Sequence, residues 1–251
     1  MKTLVVMNEK GGVGKTNLVS HGGWYFSERL RTLVIDLDQQ GNLTATLAAN
    51  LAHETAVSLF EPGGRITPVG SLTVAGATRD LSAVEQTAET DGLLAFRDNI
   101  AAMADDYDIC LIDTPPALAN RTFAALLSAD AVLAPVGVND YSLAGVANLL
   151  QAIKGVSAHF ERSEPQFLGL IPSIYDRRSV RERQLFVALA EQVGKLLFPG
   201  IVAKRDVYSR AAGEGVPVWR LPASAATNDA KSEIWSVFGT VGEMMGVGRN
   251  D

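Results

Sequence analysis

The residues of this chain best suited to chemistry lie near its start, in the stretch NEKGGVGKT at positions 8–16. Gly14, Lys15 and Thr16 close a glycine-rich loop that follows the apolar run TLVVM (3–7) and opens a helical stretch. At such a junction the backbone N–H groups and the positive end of the helix converge on an anion. Gly11, Gly12 and Gly14 let the backbone curl against phosphate oxygens where a Cβ would intrude. Lys15 supplies a compact charge for the β- and γ-phosphates, and the Thr16 hydroxyl a ligand for Mg²⁺. The expected nucleotide-binding stretch is therefore Gly11, Gly12, Val13, Gly14, Lys15, Thr16 and Asn17. The phosphate-loop pattern G-x-x-x-x-G-K-[ST] asks for glycine at position 9. Here Glu9 stands in that place, and an additional lysine, Lys10, precedes the glycine pair. A dinucleotide-binding pattern fails, because its third glycine falls on Asn17.

Two carboxylate stations accompany the loop. Asp113 ends the run DICLID, where a strand-end aspartate can hold a Mg²⁺-bound water. Asp36 and Asp38 stand in VIDLDQQGN at the end of another apolar run. Three carboxylates at the ends of adjacent strands, facing a phosphate loop, repel one another unless a cation joins them. Together they point to chemistry on Mg²⁺-ATP. Singly, each could be a buried structural aspartate, and Asp38 could cap the turn that follows it.

Elements of fixed order must bring these groups together. Short continuous apolar runs alternate with helical stretches, the pattern of a parallel sheet whose strands are buried on both faces. Strands are expected at 3–7, 32–36, 107–113, 131–137 and 167–173, with a weaker candidate at 201–204. Helices fit at Lys15–Leu30, Thr122–Ala129, Tyr141–Phe160, Val180–Leu197 and Asn228–Met245. The Gly- and Pro-rich segment within 55–90 suggests a short edge hairpin. The fold class expected is α/β, a mostly parallel twisted sheet with helices on both faces, forming one domain over residues 1–251.

Composition bounds the function. The chain has 251 residues, 47% hydrophobic and 20% charged, with a formal net charge of −6. That balance argues against a generally basic nucleic-acid coat but leaves room for a local basic face. One cysteine, Cys110, allows neither an intrachain disulfide nor a cysteine-ligated cluster from this chain alone, which excludes an iron–sulfur reductase. The start of the chain does not read as a signal peptide, and no run reaches the length of a membrane span, so a cytoplasmic protein is expected.

Taken together, EKGGVGKT, VIDLDQQGNLT and CLIDTPP resemble the signatures of the ParA-type, deviant-Walker ATPases that include MinD relatives. The resemblance continues through ADAVLAPV, YSLAG and GVPV, and FLGLIPSIYDRR and GVPVWRL look most like the IncC-type proteins of plasmid partition. The family usually has proline where Gln39 stands. The resemblance implies a homodimer formed on ATP, in which Lys10 reaches the phosphates of the other subunit, as an arginine finger does. It implies that Asp38 positions the attacking water, that Asp36 and Asp113 lie near the metal, and that Pro172, Asp176 and Pro217 lie near the adenine. Lys10, Lys15 and Asp38 would then be the catalytic set, and Thr16, Asp36 and Asp113 the metal set.

The output surface is less legible. The second half carries Arg177, Arg178, Arg181, Arg183, Lys195, Lys204, Arg205, Arg210, Arg220 and Lys231. Alone, such charges describe a solvated helix face. With the resemblance they imply nonspecific DNA binding by the ATP dimer, through Lys204, Arg205, Arg210 and Arg220. Nucleoid association and a ParB-like activating partner follow in the same way. No helix-turn-helix segment precedes the loop, so the short form without operator recognition is expected. The alternatives are a MinD-like membrane-surface ATPase, or a ligase or positioning relative acting on another cargo. The first needs an amphipathic terminal helix with basic flanks. Ile234, Phe238, Val241 and Met245 form a stripe, but the tail GVGRND is nearly neutral, so a membrane partner is not expected.

Overall fold

A computed structural model describes residues 1–87, 90–139 and 141–247. At its centre lies an eight-stranded sheet in the order β3-β4-β2-β5-β1-β6-β7-β8, every pairing parallel. The strands are β1 (Lys2–Val6), β2 (Thr32–Asp36), β3 (Leu51–Thr55), β4 (Leu72–Gly76), β5 (Ile109–Asp113), β6 (Ala131–Val136), β7 (Gln166–Tyr175) and β8 (Val202–Ala203). All five residues of β2, β4 and β5 are buried, as continuous apolar runs require when both faces are covered. Alternate residues feed two cores. Val5, Leu33, Ile35, Cys110 and Ile112 enter one, and Leu4, Val6, Val34, Ile109 and Leu111 the other.

Helices cover both faces. The first core takes in residues of α4 (Thr90–Ala102), α5 (Asn120–Ser128), α6 (Leu143–His159) and α7 (Val180–Val193). The second takes in residues of α1 (Lys15–Ser27), α8 (Asp206–Glu214) and α9 (Ala225–Met245). Two shorter helices, α2 (Asn42–Thr46) and α3 (Leu81–Thr87), complete the set among the described residues. The chain runs from β1 outward to the β3 edge, returns to insert β5 between β2 and β1, then builds β6 to β8 on the other side. The loops after β1, β2 and β5 therefore meet at the carboxyl edge, where the order reverses and open α/β sheets hold their ligands.

The expected elements all occur, with ends shifted by a few residues. The exception is the segment 55–90. It contains no hairpin among its described residues: β3 and β4 pair in parallel, joined by a 3-10 turn at Ala56–Phe60 and an extended stretch. Gly and Pro there mark the crossover and not a tight turn. Helices α2, α3, α4 and α8 had no counterpart among the expected helices.

Candidate functional site

The loop after β1 is built around Gly14, which precedes α1 with φ 91°. A Cβ there would come within 2.6 Å of the Ser173 hydroxyl on β7, so both conformation and space require glycine. Asn8 anchors the loop entrance: its amide donates to the Pro135 carbonyl at 2.7 Å, and its side-chain oxygen accepts from the Lys10 N–H at 2.9 Å. Lys15 is 7% exposed and donates through Nζ to the carbonyls of Asn8 at 3.1 Å and Lys10 at 3.0 Å. Burial lowers its pKa, opposed by the charges of Asp113 and Asp38. Val13 is buried. Lys10 is exposed on the loop.

Sheet register places the carboxylates. Asp36 and Asp113 are Cα partners on adjacent strands, and Val6, one residue before the loop, pairs with Asp113 on its other side. Thr16 donates its hydroxyl to Asp113 Oδ2 at 2.7 Å, while the buried Oδ1 has no hydrogen-bond partner. Burial, together with the charge of Asp36, pushes the Asp113 carboxyl up to about 8. A buried carboxylate with an orphaned oxygen beside a hydroxyl is a fit for a divalent cation. No group of three or more His, Cys, Asp or Glu able to hold a metal occurs among the described residues. Such an ion would therefore take most of its ligands from phosphate and water, as Mg²⁺ commonly does.

Asp36 is fully buried, and burial raises its pKa. Its Oδ2 accepts from the Thr44 N–H at 2.9 Å and hydroxyl at 2.7 Å, and its Oδ1 from the Asp38 N–H at 3.1 Å. Thus Asp36 organises the loop after β2 as well as lying beside Asp113. Asp38 caps the next turn, accepting from the Gln40 N–H at 3.0 Å and, through its carbonyl, from the Gly41 N–H at 2.9 Å. The turn closes with Gln39 in place of proline.

These parts open onto one cleft of about 780 Å³, lined by Gly11, Gly12, Gly14, Lys15, Thr16, Asn17 and Asp38 among others. The volume suits a small-molecule ligand. Its remaining wall comes from Ser173 and Ile174 at the end of β7 and from the segment 202–213 of β8 and α8. Pro172, Asp176 and Pro217 do not line it. Pro172 lies inside β7 opposite Val136, Asp176 receives the Arg178 N–H in a turn, and Pro217 leads a 3-10 turn at Val218–Arg220. Ile174 carries φ 56° and is 41% exposed. A β-branched side chain in the left-handed region is strained, and sequence gives no signal of it.

Arg121 also escaped sequence reading. This residue of α5 is 6% exposed, donates through Nη1 to the Leu37 carbonyl at 2.9 Å, and pairs through Nε with Glu85 at 2.7 Å. It thereby holds the peptide between Asp36 and Asp38.

Of the basic candidates, Lys204, Arg210 and Arg220 are exposed. Arg210 pairs with Glu214 at 2.9 Å. Arg205 departs from the expectation of a DNA contact. Its guanidinium is committed to Glu233 at 2.7 Å and Asp229 at 3.2 Å, with the side chain only 18% exposed. The stripe Ile234, Phe238, Val241 and Met245 is buried in the second core, so it is packing and not a membrane face. Among the described residues, no helix is long and apolar enough to cross a membrane. Residues 248–251 of the tail lie outside the described residues.

A family model described as an AAA domain matches residues 1–164. Protein IncC of Escherichia coli is 37% identical over 244 residues, which span 92% of this chain and 66% of IncC. The chain thus spans about two thirds of the IncC length. The chromosome-partitioning ATPase Soj of Treponema pallidum (strain Nichols) is 31% identical, with 90% of this chain and 92% of Soj covered. Among solved structures, the Cyanothece McdA–ATP complex superposes with a TM-score of 0.81 at 23% identity, covering 96% of each chain.

Proposed function

This chain belongs to the ParA/MinD superfamily of P-loop ATPases, close in kind to IncC and Soj, and from that premise we propose that it is a Mg²⁺-dependent ATPase that dimerises on ATP and positions cargo along DNA. The observation that carries the reading is the convergence of Lys15, Thr16 and Asp38 at one cleft on the carboxyl edge of the sheet, with buried Asp113 hydrogen-bonded to Thr16 behind them.

In this reading the loop amides and Lys15 hold the β- and γ-phosphates, and Thr16 and Asp113 hold the metal. Bound there, Mg²⁺ neutralises charge that develops on the phosphoryl oxygens. Asp38 orients a water toward the γ-phosphorus. The bond to the bridging oxygen breaks, and ADP and phosphate leave. Lys10 of a second copy adds its charge to the transferring group only when two protomers meet, which ties turnover to assembly. Asp36 holds the loop that carries Asp38.

The output is nonspecific DNA, contacted by exposed Lys204, Arg210 and Arg220 on both protomers of the dimer. Arg205 stays with Glu233. A ParB-like protein is the activating partner, and the protein acts in the cytoplasm on the nucleoid, as one ATPase domain over residues 1–251. Turnover measured with nonspecific DNA, with anionic liposomes and with neither tests the reading. Stimulation or binding on DNA, weakening as salt rises, is expected. A response to liposomes alone would replace it with the membrane-surface reading.

A further inference from the structure

The wall of the cleft facing away from the phosphate loop is held by a single carboxylate on the C-terminal helix. Glu233 of α9 has a side chain 9% exposed. Its Oε2 accepts from the Ala203 N–H at 3.2 Å and the Tyr208 hydroxyl at 3.3 Å. Its Oε1 accepts from Arg205 Nη2 at 2.7 Å and pairs with Arg177 Nη2 at 3.2 Å. Ala203, Arg205 and Tyr208 all line the cleft. One buried charge thus gathers donors from β8, from α8 and from the turn after β7, and such a charge is tolerated only when so surrounded.

Apart from the second core, which takes in Val202, Tyr208 and Ala211, the wall has little backbone pairing to hold it. β8 is two residues long and pairs with β7 at Ser173–Val202 and Tyr175–Ala203, with a register irregularity between them. The Lys204 N–H adds one bond to the Tyr175 carbonyl at 2.9 Å. The Tyr208 ring also packs edge-on against His21 at 5.3 Å. His21 belongs to α1, the helix the phosphate loop opens. Tyr208 thus links the carboxylate to the helix that follows the loop.

We propose that Glu233 is a positioning residue for the nucleoside half of the bound nucleotide, fixing the wall against which base and sugar pack while the phosphates are held independently by the loop. The proposal rests on the reading of the cleft as a nucleotide site.

The test compares Mg²⁺-ATP with Mg²⁺-tripolyphosphate, measured by calorimetry on the full chain. Glu233→Gln keeps the shape but turns an amide N–H toward donors. It should weaken ATP binding about tenfold, the loss of one charge-assisted hydrogen bond, and leave tripolyphosphate within about twofold. Tyr208→Phe removes one donor to the carboxylate and should move the ratio of the two affinities the same way by less. It carries the comparison alone if Glu233→Gln does not fold. Equal weakening of both ligands, which a merely structural role would produce, overturns the proposal. So does no change in either. If Lys15→Ala leaves ATP bound as tightly as before, the nucleotide reading itself falls, and this proposal with it. Loss of both ligands in Lys15→Ala keeps that reading and confines any failure to Glu233.

Discussion

At the scale of single residues, the site lives on polar groups that burial has made expensive. His21 is fully buried, four residues beyond Asn17, and donates through Nδ1 to the Asn17 carbonyl at 2.9 Å. Its Nε2 has no partner, and Trp24, Tyr208 and Trp219 surround the ring edge-on. Burial, opposed by that one bond, lowers its pKa from 6.5 to about 4. The folded chain then binds fewer protons than the unfolded one between these values. Its stabilising effect is whole above pH 6.5 and is lost as pH falls toward 4, by up to about 3 kcal/mol. Denaturant unfolding followed from pH 7 to pH 4.5 should show this fall on top of the general acid response, and His21→Phe should flatten it. An identical slope in both proteins would mean that His21 titrates normally in the fold. Asp113 is perturbed in the opposite sense for a related reason: its acid form suits the buried site until a cation arrives.

Secondary elements carry the coupling between these groups. Helix α5 is a clamp as well as a covering helix: Arg121 pins the Leu37 carbonyl, and Glu85 of α3 accepts from both the Arg121 side chain and the Asn120 N–H at 2.9 Å. Arg121→Met leaves that carbonyl unpaired and takes the guanidinium from a carboxylate that keeps the Asn120 N–H, at a cost of about 2 kcal/mol. Because the freed peptide adjoins Asp38, turnover should also drop roughly tenfold while ATP affinity stays within about twofold. Arg121→Lys should recover part of the turnover. Steady-state kinetics with a thermal melt separates the effects: a less stable variant with undiminished turnover would make the clamp purely structural. In the same way α9 does two jobs. One face fills the second core with Ile234, Phe238 and Val241, and its edge presents Glu233 to Ala203, Arg205 and Tyr208 of the cleft wall.

The whole molecule is a sheet whose carboxyl edge gathers the site, with Lys10 exposed on its loop. The proposed dimer makes a prediction that no monomer can satisfy. Lys10→Ala and Asp38→Ala should each bind ATP but hydrolyse it slowly. Mixed, they should regain part of the turnover, since one composite site of the heterodimer pairs an intact Asp38 with the Lys10 of the other copy. A mixture shown to form heterodimers but still inactive would place Lys10 in the service of its own loop.

Much of this was written in local order. The phosphate loop could be read because glycine, lysine and threonine must follow one another where a strand becomes a helix, and backbone geometry ties that chemistry to consecutive positions. The inner strands were legible for a similar reason, since burial on both faces leaves an unbroken apolar run. Asp113 and Asp36 could be placed at strand ends, but only the register of β2 against β5 made them neighbours. The segment 55–90 misled because glycine and proline mark a change of direction without saying whether the next strand returns or crosses over. Arg205 read as a DNA contact and Arg121 drew no reading at all, and both are held by carboxylates far along the chain, Glu233 and Glu85. Nothing in a charge's local sequence names its partner. Partners separated by many residues are chosen when the sheet brings helices together, so the wall of the cleft and the clamp on Asp38 belong to the tertiary structure.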